Sequence, residues 1–332
     1  MKNVAVKFLA IAITVLIAGH AYASNTGMAA NKNASSVNNE KSLGNHGTLH
    51  KTIEVNGLKI FYREAGPKDA PTLLLLHGYP TSSHMFRNLI EDLSHSYHLL
   101  APDYPGYGRS EQPPMADFAY TFENMSKIVE GFLEALNIEK YSIYLMDYGA
   151  PIGYRIAAKY PERVESLIIQ NGGAYEEGLR KFWDPIKKFW NENTVENGKA
   201  LEGFHSPDGL KWQYTHGVQN VEKISPDNWN IDLQHLARPE NNAIQLAMFY
   251  DYRTNVALYP EWQAYLRKYQ PPTLIVWGKN DHIFPPEGAQ AYKKDLKNID
   301  FNLLNTGHFA LEEEGDAIAE HILRFLAKHN IK

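Results

Sequence analysis

The chain has 332 residues, 38 acidic against 33 basic side chains for a formal net charge of −5, and no cysteine. Disulfides, thiolate nucleophiles and thiolate-held metals are therefore excluded, and the dispersed Lys and Arg form neither a basic stripe for nucleic acid nor a polybasic cluster for a lipid surface. The length suits one large α/β domain with an insertion, ample for a sizeable core, and it carries no internal repeat, zinc-type spacing or phosphate-binding glycine loop.

Lys2 and Lys7 lead into an apolar run from Phe8 to Ala18, followed by Ala21-Tyr22-Ala23-Ser24. A basic start, a short apolar stretch and small residues at a cleavage point predict a signal peptide over residues 1–23, cut after Ala23. The run is short for a membrane span. The expectation is an exported protein, periplasmic or secreted, with no membrane anchor after cleavage. Residues 24–49 are rich in Asn, Ser, Lys and Gly without apolar periodicity, which predicts a disordered leader.

Lys51–Val55 and Leu58–Arg63 flank Asn56-Gly57 and predict a hairpin at one sheet edge. Strand-forming runs at Thr72–Leu76, His98–Ala101, Ser142–Met146 and Val164–Gln170 alternate with helical spacing at Met85–Leu93, Phe122–Leu136 and Pro151–Lys159. After Gln170 the alternation stops. A stretch rich in Trp, Phe, Tyr, Lys and Asn keeps helical spacing to about Tyr269, then a strand resumes at Thr273 and a last helix covers Asp316–Lys328. This pattern predicts an α/β fold with a mostly parallel, doubly wound sheet from residues 50–171 and 271–332, carrying a helical cap inserted over residues 172–270. Such a cap excludes water from a cavity and supplies aromatic walls for a small substrate.

The chemistry is concentrated at three strand ends. Ser142–Met146 runs into Asp147-Tyr148-Gly149 and then a helix, the setting of a nucleophile elbow, where a strained strand-to-helix turn lifts one side chain above the sheet. Aspartate also caps helices at such boundaries. As a nucleophile, however, it has a distinct repertoire: attack on an ester gives only a labile anhydride, whereas displacement at an sp3 carbon gives a stable ester that water then cleaves. Asp281 follows the strand at Thr273, and His308 follows the short strand at Phe301–Leu304. Residues after parallel strands converge at one sheet edge, so His308 is placed to activate water and Asp281 to hold its tautomer.

These motifs resemble the α/β-hydrolases, and within them the epoxide hydrolases and haloalkane dehalogenases that use an aspartate nucleophile. The likeness runs from about Thr52 to Leu326 and includes His77-Gly78-Tyr79-Pro80 and Asp103-Tyr104-Pro105-Gly106-Tyr107-Gly108-Arg109-Ser110. It implies that Asp147, Asp281 and His308 are the triad and that the backbone N–H groups of Tyr79 and Tyr148 form the oxyanion hole. Met248-Phe249-Tyr250-Asp251-Tyr252-Arg253 resembles a cap motif in which the tyrosine before arginine protonates an opening epoxide, which points to Tyr252. A second donor is expected, with Tyr214 the candidate and His205 and His216 its competitors. The resemblance implies no cofactor and a small, mainly apolar, uncharged substrate.

Departures from the family pattern bear on the substrate. Dehalogenases usually place tryptophan after the nucleophile and often asparagine in the His-Gly-X-Pro loop, both N–H donors to halide. Here those positions are Tyr148 and Tyr79, which favours an epoxide over an alkyl halide, with a non-catalytic binding protein as the remaining alternative. Leu145 stands two places before the nucleophile, where the elbow ordinarily carries a small residue, and Met146 replaces a frequent histidine.

Overall fold

The computed structural model describes residues 47–331. The expected signal peptide, and all of the expected leader up to residue 46, lie outside them. The leader's predicted end is too late: Leu49 already pairs with Glu64 in the first strand, so ladder hydrogen bonds begin there.

Eight strands form one sheet: β1 (Leu49–Val55), β2 (Leu58–Ala65), β3 (Thr72–Leu76), β4 (His98–Pro102), β5 (Tyr141–Met146), β6 (Val164–Gln170), β7 (Thr273–Gly278) and β8 (Ile299–Leu304). Their spatial order is β1-β2-β4-β3-β5-β6-β7-β8, with β1 and β2 antiparallel to their neighbours and the rest parallel. The chain steps outward from β3 to β4 and then returns to β5. That reversal makes the carboxyl ends of β3 and β5 a switch point, where α/β sheets bind ligands.

The central parallel strands β3, β4, β5 and β7 are buried on both faces, while the edge strand β8 is half-buried, and the alternation along them divides the core in two. Leu74, Leu76, Ile143 and Leu145 pack on one side of the sheet, and Leu73, Leu75, Tyr144 and Met146 on the other. The helices α1 (Arg87–Leu93), α2 (Phe122–Ala135) and α3 (Gly149–Lys159) link the first strands. Between β6 and β7 the chain passes through α4 (Asp184–Asn191), α5 (Val195–Lys199), α6 (Pro207–Thr215), α7 (Asp227–Leu236), α8 (Asn241–Asp251) and α9 (Arg253–Tyr269), with no intervening strand. Then α10 (Pro286–Ala291) joins β7 to β8, and α11 (Ala310–Lys328) closes the chain. The last helix starts before the expected Asp316, because its first turn bends at Glu314 (φ −117°, ψ 25°) before Gly315 and breaks the apolar periodicity.

Leu145 fits at the elbow because α3 gives way to it. A Cβ on Gly153 would sit 2.2 Å from the Leu145 Cδ2 atom, so the absent side chain is on the helix rather than on the strand. Gly149 has a similar role one turn earlier, where a Cβ would lie 2.2 Å from the carbonyl oxygen of Leu76. Both glycines let α3 press against β3 and β5, which fixes the turn between them.

Candidate active site

Asp147 occupies that turn with φ +48°, a left-handed conformation that a non-glycine residue adopts only when its surroundings enforce it. Its own N–H donates to the Asn171 carbonyl at 3.3 Å. The side-chain Oδ1 accepts two backbone N–H groups, from Tyr79 and Tyr148, each at 2.6 Å. The loop that brings Tyr79 this close depends on Gly78, where a Cβ would stand 2.4 Å from the Cβ of Asp147. Oδ2 lies 3.9 Å from Nε2 of His308, a ring nitrogen with no hydrogen-bond partner among the described residues.

His308 is oriented from behind. Its Nδ1 donates to Oδ2 of Asp281 at 2.8 Å, which leaves Nε2 as the basic nitrogen facing Asp147. Asp281 accepts two further bonds, from the Ile283 N–H to Oδ1 at 2.7 Å and from the Asn171 Nδ2 to Oδ2 at 2.8 Å. Asn171 was not singled out from the sequence, yet it ties the site together. It sits just past β6 with φ +42°, its side chain bridges both backbone groups of Gly278 and Asp281, and its carbonyl holds the backbone of Asp147. The only cue was its place at the end of a parallel strand beside the nucleophile strand.

The electrostatics follow from burial. Desolvation pushes the Asp147 carboxyl up from 3.8 to about 6, against the opposing pull of His308 and of the two amides. Burial is also the largest influence on His308 and lowers it. The charge and hydrogen bond of Asp281, with Asp147 beyond, outweigh that effect and leave the imidazole above its ordinary 6.5. A carboxylate that is hard to solvate, fixed by one oxygen and open at the other, is an activated nucleophile.

Asp147 lines a small chamber of about 20 Å³, room for roughly one water molecule. Its walls include Tyr79, Tyr148, Phe182, Trp183, Phe204 and Phe249, with Gln213 as the polar member from the insertion. The wall N–H donors are already committed. Trp183 Nε1 donates to the Ile283 carbonyl at 2.7 Å, and Gln213 Nε2 to the Phe204 and Gly209 carbonyls at 3.1 and 3.3 Å. The Tyr79 hydroxyl also donates to Phe204. Tyr148 differs, having a buried hydroxyl without a hydrogen-bond partner among the described residues.

A family model for the alpha/beta hydrolase fold matches residues 71–315. The chain belongs to the α/β-hydrolase family. Similar proteins include an uncharacterized hydrolase of Saccharomyces cerevisiae, 42% identical over 285 residues that cover 85% of this chain and 98% of that one. A haloalkane dehalogenase of Mycobacterium marinum is 37% identical over 290 residues, covering 80% of this chain and 88% of its own. Epoxide hydrolase 1 of Caenorhabditis elegans is 25% identical over 290 residues, covering 83% and 70%.

Within this α/β-hydrolase, Asp147, Asp281, His308 and the Tyr79 and Tyr148 amides converge, whereas the two expected cap donors do not. Tyr252, at the junction of α8 and α9, does not line the chamber. Its fully buried ring packs against Trp183 (4.6 Å between centroids) and Trp190 (6.0 Å), and its hydroxyl has no hydrogen-bond partner among the described residues. Tyr214 is turned away on α6. Its hydroxyl donates to Asp232 at 2.5 Å and its ring stacks on Phe309 at 3.9 Å, in the core on the other side. Successive helical residues point about 100° apart, so it is the preceding Gln213 that reaches the chamber. His205 lies outside the wall against the rings of Tyr79 and Phe249, and His216 stacks on Trp212 and meets His282 edge-on. His77 is structural: its Nε2 accepts from the Tyr104 N–H and its ring stacks on Tyr104.

Proposed function

We propose that this hydrolase opens small epoxides to vicinal diols through a covalent ester on Asp147, with no cofactor. The observation that carries the reading is the asymmetry of the carboxylate: Oδ1 is held by two amides, while Oδ2 is free of them and lies 3.9 Å from His308. Oδ2 attacks a ring carbon, the ring C–O bond breaks, and the alkoxide takes a proton from the Tyr148 hydroxyl. Burial raises that phenol well above 10, so it is protonated and ready to donate. Water then gives a proton to His308 and adds to the ester carbonyl, whose oxyanion develops on Oδ1 between the amides of Tyr79 and Tyr148. Collapse releases the diol, which takes the proton from His308, and the regenerated acid returns a proton to Tyr148.

A chamber whose tryptophan and glutamine N–H donors are spent on carbonyls suits an alkoxide that needs one proton better than a halide that needs cradling. The 37% identical dehalogenase favours alkyl halides as the second reading. We further propose export, with cleavage after Ala23, from the pattern of residues 1–23.

Intact-mass analysis of His308→Gln decides the chemistry, because loss of the base stalls the enzyme at the ester. Addition of the whole mass of a small epoxide is expected. Addition of only an alkyl group from a halide would transfer the protein to the dehalogenase reading. A folded protein that takes up neither would refute the aspartate nucleophile.

A further inference from the structure

The small chamber raises the question of how a substrate reaches Asp147 and what lies outside. A neighbouring cavity shares a wall residue with the chamber, and that residue is Phe182. The outer cavity is a vestibule of about 650 Å³ between the start of the insertion and the loop after β7. Phe182 is half-buried. It lies parallel to Trp212 on the vestibule side (centroids 6.0 Å apart, planes at 3°) and touches Phe204 on the chamber side at 5.1 Å. Phe182 therefore stands between the two spaces.

The vestibule has a definite charge. Arg180, Lys181 and Lys279 line it with exposed side chains, and none of the three is in a salt bridge among the described residues. Glu287 is the one exposed acid on the same rim, and Glu177 offsets Arg180 from outside it. Asp281 also lines it, as a buried carboxylate bonded to His308, Asn171 and Ile283, so three cations face two acids. On a chain whose net charge is −5, this rim is locally positive.

We infer that substrates enter past Phe182 and carry an anionic group, such as a carboxylate, at the end remote from the reacting carbon, where Lys181 and Lys279 attract it. The inference rests on the epoxide reading for the reacting end, which stays uncharged in the aromatic chamber. It extends that reading by assigning the distal end to the vestibule. A positive rim around a narrow entrance concentrates such substrates and accelerates entry, and salt weakens the effect.

The test is the labelling rate of His308→Gln protein by styrene oxide and by 4-carboxystyrene oxide, followed by intact mass. At low salt the carboxylate compound is expected to label roughly tenfold faster. The preference should vanish in Lys181→Gln/Lys279→Gln, with the neutral compound unaffected. Phe182→Ala should accelerate labelling by both. Equal rates for the two epoxides in the parent protein would overturn the inference and leave the nucleophile standing. Labelling by neither would remove the epoxide reading itself. The vestibule is then judged by binding of the two diols, followed by tryptophan fluorescence: tighter binding of the carboxylate diol, lost in the double variant, supports it, and equal binding overturns it.

Discussion

Replacing Asp147 with asparagine should make the protein more stable above neutral pH while abolishing turnover. The magnitude follows from its surroundings. Burial raises the carboxyl from 3.8 to about 6, so the folded chain binds a proton more tightly than the unfolded one between those values. Folded stability from this group is therefore fully present at low pH and is lost as pH rises through about 6. At about 1.4 kcal/mol per pH unit, the gap is worth at most about 3 kcal/mol. Asparagine keeps an oxygen for the Tyr79 and Tyr148 amides and has no charge to bury. Urea unfolding should show a gain of about 1–3 kcal/mol at pH 8, shrinking toward zero near pH 4. Intact mass should be followed in parallel, because water activated by His308 would hydrolyse the new amide back to aspartate. No gain at pH 8, or the same gain at both pH values, would refute the claim that the nucleophile is held at an energetic penalty.

Two further substitutions probe the frame around that residue. Asn171→Ala strips partners from the Gly278 N–H and from the Asp281 carboxylate. It should destabilise by about 2–4 kcal/mol in urea unfolding and slow hydrolysis of the covalent ester by roughly 10–100-fold in single-turnover kinetics. Tyr214→Phe removes only the bond to Asp232. A loss of about 1–3 kcal/mol in stability is expected, with turnover within twofold of the parent. A fall of roughly 100-fold or more in steady-state rate would mean that this hydroxyl takes part in proton transfer after all.

The sheet and the three converging residues were legible because each signal is local. A run such as Leu73–Leu76 is apolar throughout because both of its faces are covered; Asp147 and Asp281 each follow such a run, and His308 follows the half-buried edge strand β8. What the sequence did not convey are directions and compensations. Tyr214 and Gln213 are adjacent letters, yet one faces the opposite core and the other the chamber, and the apolar spacing on α6 is too weak to phase it. Tyr252 matched a motif, but the pile of Trp183 and Trp190 against it puts it one layer too deep. Leu145 broke the elbow pattern locally and was accommodated by Gly153, eight positions later on a different element. Asn171 carried no motif at all, since its importance arises from bonds to residues more than a hundred positions away.

The order of the strands also has a consequence for synthesis. The nucleophile and its two amides lie in the first half of the chain, on β3 and β5 at the centre of the sheet, while Asp281 and His308 follow β7 and β8 at its edge. A ribosome makes the centre long before the edge, and the helical insertion is translated between them. The nascent chain therefore holds Asp147 with neither base nor chamber until the last strands have docked. Long-range pairing of this kind is slow to form, so the appearance of the His308–Asp281 bond reports that the whole molecule has been completed.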